Sequence, residues 1–191
     1  LIAAAGQLGY STTVASLNGC SFVLPAGAEE LNDKAVACGV FRRAVLDHAT
    51  LTGPAIVVIS NWSVGYVRDT PDSRDLWETG LAGVLGPLEA IGVPVIIVSS
   101  YPAGDEPSIN RSLLVGPRAD RSTDAARQRA ERDWLVDLES EIADSYGSVY
   151  LFDPYEVFCD REFCRTAEDG NEYYTDTNHL SRAGSLLLGP S

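Results

Sequence analysis

The sequence contains no methionine and only two histidines, His48 and His179. Two imidazoles so far apart, with no cluster of ligand-type residues around them, speak against a metal centre. The expectation is a protein that uses neither a metal nor a cofactor. Basic residues are also scarce: 14 Lys and Arg stand against 27 Asp and Glu, a net charge of −13. That balance argues against nucleic acid or an anionic membrane surface as partner. No apolar run approaches the roughly 20 residues of a membrane span, and the chain shows neither a signal peptide nor an internal repeat. It opens on Leu1 rather than Met, so the 191 residues are expected to be a processed or excised piece of a longer protein. His48 is expected to be a structural residue at a surface edge.

What is there is ordinary globular material. Hydrophobic residues make up 45% and charged residues 21%, which suits one folded domain over 1–191. Four cysteines stand at positions 20, 38, 159 and 164. Their even number fits two disulfides and an oxidising compartment. The local pairing, Cys20 with Cys38 and Cys159 with Cys164, closes two short loops worth about 2–3 kcal/mol each on the chain-entropy model. A four-cysteine zinc site, which would lack the usual CxxC knuckles, and four buried free thiols are the rival readings.

Along the chain, strand and helix signals alternate. Residues 1–8 read as a helix with Gly9 at its end, and residues 12–17 as a short strand. Asn32 or Asp33 caps a helix through about Ala49, with Cys38, Phe41 and Val45 on one face. Residues 55–60 and 93–99 are continuous apolar runs of the kind buried parallel strands show. Between them lies a helix over 75–91, which Pro87 should kink or divide. A long irregular stretch over 101–122 leads to a helix opening at Thr123 or Asp124 and ending at Gly147, then a strand over 148–152. This alternation predicts an α/β fold with a parallel sheet covered on both faces. The chain begins inside a helix, so a central first strand is expected upstream of Leu1, because a sheet without it would expose unpaired backbone.

Near the C-terminus, Tyr174-Thr175-Asp176-Thr177-Asn178-His179-Leu180-Ser181-Arg182-Ala183-Gly184 sets a carboxylate and an imidazole three residues apart. Ser181 follows as the N-cap of a helix. A loop can aim both side chains at one point. In acyl transfer a His accepts the proton of a nucleophile while an Asp fixes its tautomer. By spacing alone the pair also reads as a polar loop with an Asx-turn.

The pattern Y-x-D-x-x-H-L-S-x-x-G resembles the last signature block of the SGNH hydrolases, in the version found in extracytoplasmic domains fused to membrane acyltransferases of the acyltransferase-three family. The resemblance implies a three-layer α/β/α, flavodoxin-like sandwich with Asp176 and His179 as catalytic residues. It implies a nucleophilic Ser in a Gly-Asp-Ser block between the first strand and first helix. No Gly-Asp-Ser occurs here, so that block would lie before Leu1. Asn61, after the 55–60 strand, matches the family's oxyanion-hole Asn, although the family often shows Arg-Trp where this chain has Asn61-Trp62. Gly19 matches the family's backbone N–H donor, and also reads as a turn glycine. Trp62 and Tyr66 could stack on a sugar or acyl chain, or simply pack at the rim. By resemblance, the protein is an extracytoplasmic, membrane-tethered O-acyltransferase. A fused membrane domain would supply the acyl group, and a glycan or glycolipid would accept it. A carbohydrate esterase and a degenerate glycan-binding or scaffold domain are the alternatives.

Overall fold

The computed structural model describes residues 6, 9–17, 20–23, 33–61, 63–103 and 121–189. In chain order the described elements are α1 (Asp33–Thr52), β1 (Val57–Ser60), a 3-10 turn (Ser63–Gly65), α2 (Pro71–Ala90), β2 (Val95–Val98), β3 (Arg121–Asp124), α3 (Ala125–Asp144), β4 (Val149–Phe152), α4 (Tyr155–Phe158), β5 (Phe163–Glu168), β6 (Asn171–Glu172) and α5 (Arg182–Leu187). The chain divides into two compact units. One comprises Ala15–Ser100 and Arg132–Asp153, the other Leu1–Val14, Tyr101–Glu131 and Pro154–Ser191.

The first unit is built on a parallel sheet in the order β1-β2-β4. Its register aligns Val57 with Val95 and Val149, and Ile59 with Ile97 and Leu151. Alternation sends these six side chains to one face. There they join Trp77, Leu81, Val84, Leu85 and Leu88 of α2 and Leu135, Leu138 and Ile142 of α3 in the main core. On the other face Val98 is buried, while Val58, Tyr150 and Phe152 are exposed.

Helix α2 begins at Pro71, four residues before its expected start, because Thr70 is its N-cap and accepts the N–H of Ser73. Proline at the first helical position removes an N–H that has no partner there anyway. Pro87 does not divide the helix. It removes one backbone bond near the C-terminal end, while Leu81, Val84, Leu85 and Leu88 anchor both sides in the core. Helix α1 runs to Thr52, and Gly53 takes a positive φ of 54° to end it.

The expected strand over 12–17 does not form. Val14 is 65% exposed and joins no ladder. Thr and Val favour strands because they suit a pleated, half-buried surface, and here none is offered. Most of the expected 1–8 helix lies outside the described residues, although Gly9 has the positive φ of a C-terminal glycine.

The second unit holds an antiparallel sheet, β3-β5-β6, that the alternation of elements did not predict. Strands β5 and β6 are joined through Asp169 and Gly170, both at positive φ (50° and 77°). This is the two-residue hairpin turn for which Asp-Gly is the preferred pair. Beneath it Phe158, Tyr155, Tyr173, Tyr174 and the Cys159–Cys164 disulfide form a second core.

Candidate active site

Asp176 and His179 meet. Asp176 Oδ2 lies 2.7 Å from His179 Nδ1, and the same carboxylate's Oδ1 accepts the backbone N–H groups of Asn178 (2.8 Å) and His179 (2.7 Å). One oxygen therefore folds the loop and the other holds the ring. The Asx-turn and the Asp–His pairing are not rivals here; the turn is what sets the pairing. Burial pushes the Asp176 carboxyl upward. The backbone N–H of Asn178, the His179 side chain and the His179 backbone N–H outweigh it, leaving the carboxyl below the usual range. An ionised carboxylate only accepts, so Nδ1 carries the hydrogen, and in the neutral ring Nε2 is then the nitrogen with the lone pair. The imidazole is 68% exposed, so that nitrogen can be reached from outside.

The loop is tied at both ends. The His179 carbonyl accepts from the Thr175 backbone N–H (2.8 Å) and hydroxyl (3.1 Å), and Tyr174 bridges Leu180 in antiparallel fashion. Ser181 caps α5 as expected: its Oγ accepts the Gly184 N–H at 3.1 Å and donates to the Glu172 carbonyl at 2.5 Å. Two tyrosines hold the loop from the chain that follows β2. The Tyr101 hydroxyl donates to the Asn178 carbonyl (2.7 Å), and the Tyr174 hydroxyl donates to the Pro102 carbonyl (2.6 Å). Burial, then the neighbouring Tyr101, raises the Tyr174 phenol, which stays a donor throughout the neutral range. The role of Tyr101 was missed; nothing in its local sequence announces a partner 77 residues away.

Asn61 stands directly after β1 in the first unit. Its Oδ1 accepts the Phe22 backbone N–H at 3.3 Å. A backbone N–H can be met only by the oxygen end of a carboxamide, so the orientation is fixed and the NH2 end is left to donate. Helix α1 holds the Phe22 segment from below with two residues one turn apart. Cys38 is bonded to Cys20, and Arg42 Nε donates to the Phe22 carbonyl at 2.9 Å. Burial lowers the Arg42 guanidinium. Both local disulfides are present as paired in the sequence reading. Gly19 and Trp62 lie outside the described residues. Tyr66 is exposed, and His48 is a surface residue. Among the described residues there is no group of three or more His, Cys, Asp or Glu that could hold a metal, and no helix long and apolar enough to cross a membrane.

A parallel α/β sheet and a linked Asp–His pair near the C-terminus define a mixed α/β protein of the SGNH kind. The chain belongs to that family: the model for the SGNH domain fused to AT3 domains matches residues 1–191. A similar solved structure is the periplasmic domain of a Salmonella ser. Paratyphi A lipopolysaccharide acetyltransferase. It is 14% identical with a TM-score of 0.68, over 97% of this chain and 73% of that one. A second solved structure, bearing a platelet-activating-factor name and from Streptococcus pneumonia, is 18% identical with a TM-score of 0.45, over 76% of this chain and 63% of that one. No curated protein sequence matches the chain.

Proposed function

We propose that this chain is the acyl-transfer domain of an extracytoplasmic O-acyltransferase that places a short acyl group on a glycan or glycolipid hydroxyl. The observation that carries the reading is the 2.7 Å pairing of His179 Nδ1 with Asp176 Oδ2 in a chain of a family fused to membrane acyltransferase domains. The nucleophile is a serine from a Gly-Asp-Ser block preceding Leu1. His179 Nε2 takes its proton as the serine oxygen attacks the donor's acyl carbonyl, and Asp176 steadies the imidazolium. The Asn61 amide takes the place of the family's oxyanion-hole Asn, where one donor is typically worth about 2.7–4 kcal/mol. The donor's leaving group departs with the proton from His179. The sugar hydroxyl then attacks the acyl-serine, giving its proton to His179, and the serine leaves reprotonated. Water in place of the sugar makes the same machinery an esterase.

The test is to give the full-length polypeptide p-nitrophenyl acetate with and without an oligosaccharide and to follow ester on the sugar by mass spectrometry. Ester formation lost on His179→Ala supports the reading. Nitrophenol release and sugar ester both unchanged by that substitution contradict it.

A further inference from the structure

Arg132 and Glu139 lie seven residues apart in α3, hence two turns along one face, and both side chains are buried. Together they reach the loops at the carboxyl ends of all three parallel strands. Arg132 Nε donates to the Ser100 carbonyl after β2 at 3.0 Å, and its two terminal nitrogens engage the carboxylate of Asp153 after β4. Ser100 Oγ in turn accepts the Val64 N–H of the turn after β1, at 3.3 Å. Glu139, 1% exposed, is faced by the hydroxyls of Ser99 and Ser63 and the indole N–H of Trp77. Ser63 stands two residues beyond Asn61, in the same turn as Val64.

Two of these donors, Trp77 and Ser99, are poised rather than engaged. Glu139 Oε2, Trp77 Nε1 and Ser99 Oγ are all buried and none makes a hydrogen bond at contact distance. Buried polar groups without partners are rare in folded proteins and call for an account. A neutral carboxyl is a weak acceptor, so unclosed bonds suit the protonated state. An ionised carboxylate draws N–H and O–H donors into shorter, stronger bonds.

We propose that Glu139 is a positioning residue that, when ionised, clamps the Ser63 turn and thereby fixes Asn61. The proposal rests on Asn61 serving the proposed reaction. Burial raises the Glu139 carboxyl to about 7; Ser99, Trp77 and Ser63 and the charge of Arg132 oppose the rise. The groups facing it are thus Arg132 on its own helix, Trp77 on α2, Ser99 after β2 and Ser63 after β1. Arg132, which is paired with Asp153, is the charged member of that set. The clamp therefore closes as pH rises through neutrality.

The test follows the Trp77 indole N–H and the Val64 backbone N–H by NMR in the intact chain from pH 5 to 9, with Trp77→Phe assigning the indole. Both signals should titrate with one midpoint near 7 and be flat in Glu139→Gln. In Ser99→Ala, which removes an opposing donor while keeping the carboxyl, the midpoint should move up. A flat Trp77 indole, a flat Val64 signal, a titration that survives Glu139→Gln, or an unmoved midpoint in Ser99→Ala overturns the clamp. In the full-length polypeptide, Glu139→Gln should change the pH profile of kcat and leave KM unchanged; a kcat profile identical to wild type also overturns it. Asn61→Ala with full kcat would sink the oxyanion reading instead, whatever the NMR titration gives.

Discussion

A β-carbon added at Gly184 would stand 2.1 Å from the carbonyl oxygen of Tyr173. The first turn of α5 therefore lies directly on the backbone of the strand-like segment that enters the His179 loop, and the last residue of the Y-x-D-x-x-H-L-S-x-x-G pattern is fixed by contact rather than by backbone conformation. Gly184→Ala must push α5 away. Overpacking of this kind costs about 1–3 kcal/mol, so the denaturant midpoint should fall by the corresponding amount, with m unchanged.

Asp176→Asn separates the two jobs of that carboxylate. The amide oxygen can still accept from the Asn178 and His179 backbone, while its NH2 faces His179 Nδ1 and forces the ring proton to Nε2. The loop should keep its fold and stability, yet the base is lost. By analogy with the same substitution in the trypsin triad, kcat should fall by roughly 10⁴-fold, measured on ester hydrolysis in the full-length polypeptide.

Asn61→Asp likewise keeps an oxygen for the Phe22 N–H but offers no donor at neutral pH. Its thermal midpoint should stay near wild type while kcat drops about 10²–10³-fold at little-changed KM, the signature of a lost oxyanion donor. A loss of stability equal to that of Asn61→Ala would make Asn61 a purely structural residue.

Glu139 makes stability depend on pH. Its folded carboxyl titrates near 7 against 4.5 when free, so between those values the folded state binds more protons than the unfolded one. Stability from this group is whole below about pH 4.5 and is lost as pH rises to 7, by roughly 3 kcal/mol in all. Denaturation of wild type and Glu139→Gln at pH 5 and pH 8 should show the wild type losing ground at the higher pH. Parallel pH dependences would contradict the assignment.

Much of the first unit was legible because its strands announce themselves: 55–59 and 95–98 are unbroken apolar runs, and every residue aimed at the core follows from period-two alternation. The Asp176–His179 pairing could be read because its geometry is local, made by one Asx-turn. The 12–17 segment misled because β-propensity describes a surface to pack on, and propensity alone does not supply one. The β5–β6 hairpin was overlooked although Asp169-Gly170 spells its turn. Tyr101, the Phe22 contact of Asn61 and the Glu139 cluster were out of reach in principle. Each joins residues tens of positions apart, which only the tertiary fold brings together.

The most direct test of the account is serine-directed fluorophosphonate labelling of the full-length polypeptide, compared between wild type and His179→Ala. The account predicts rapid labelling of one serine in wild type and labelling slowed by several orders of magnitude in the variant. Equal labelling of both, or none in wild type, would contradict it.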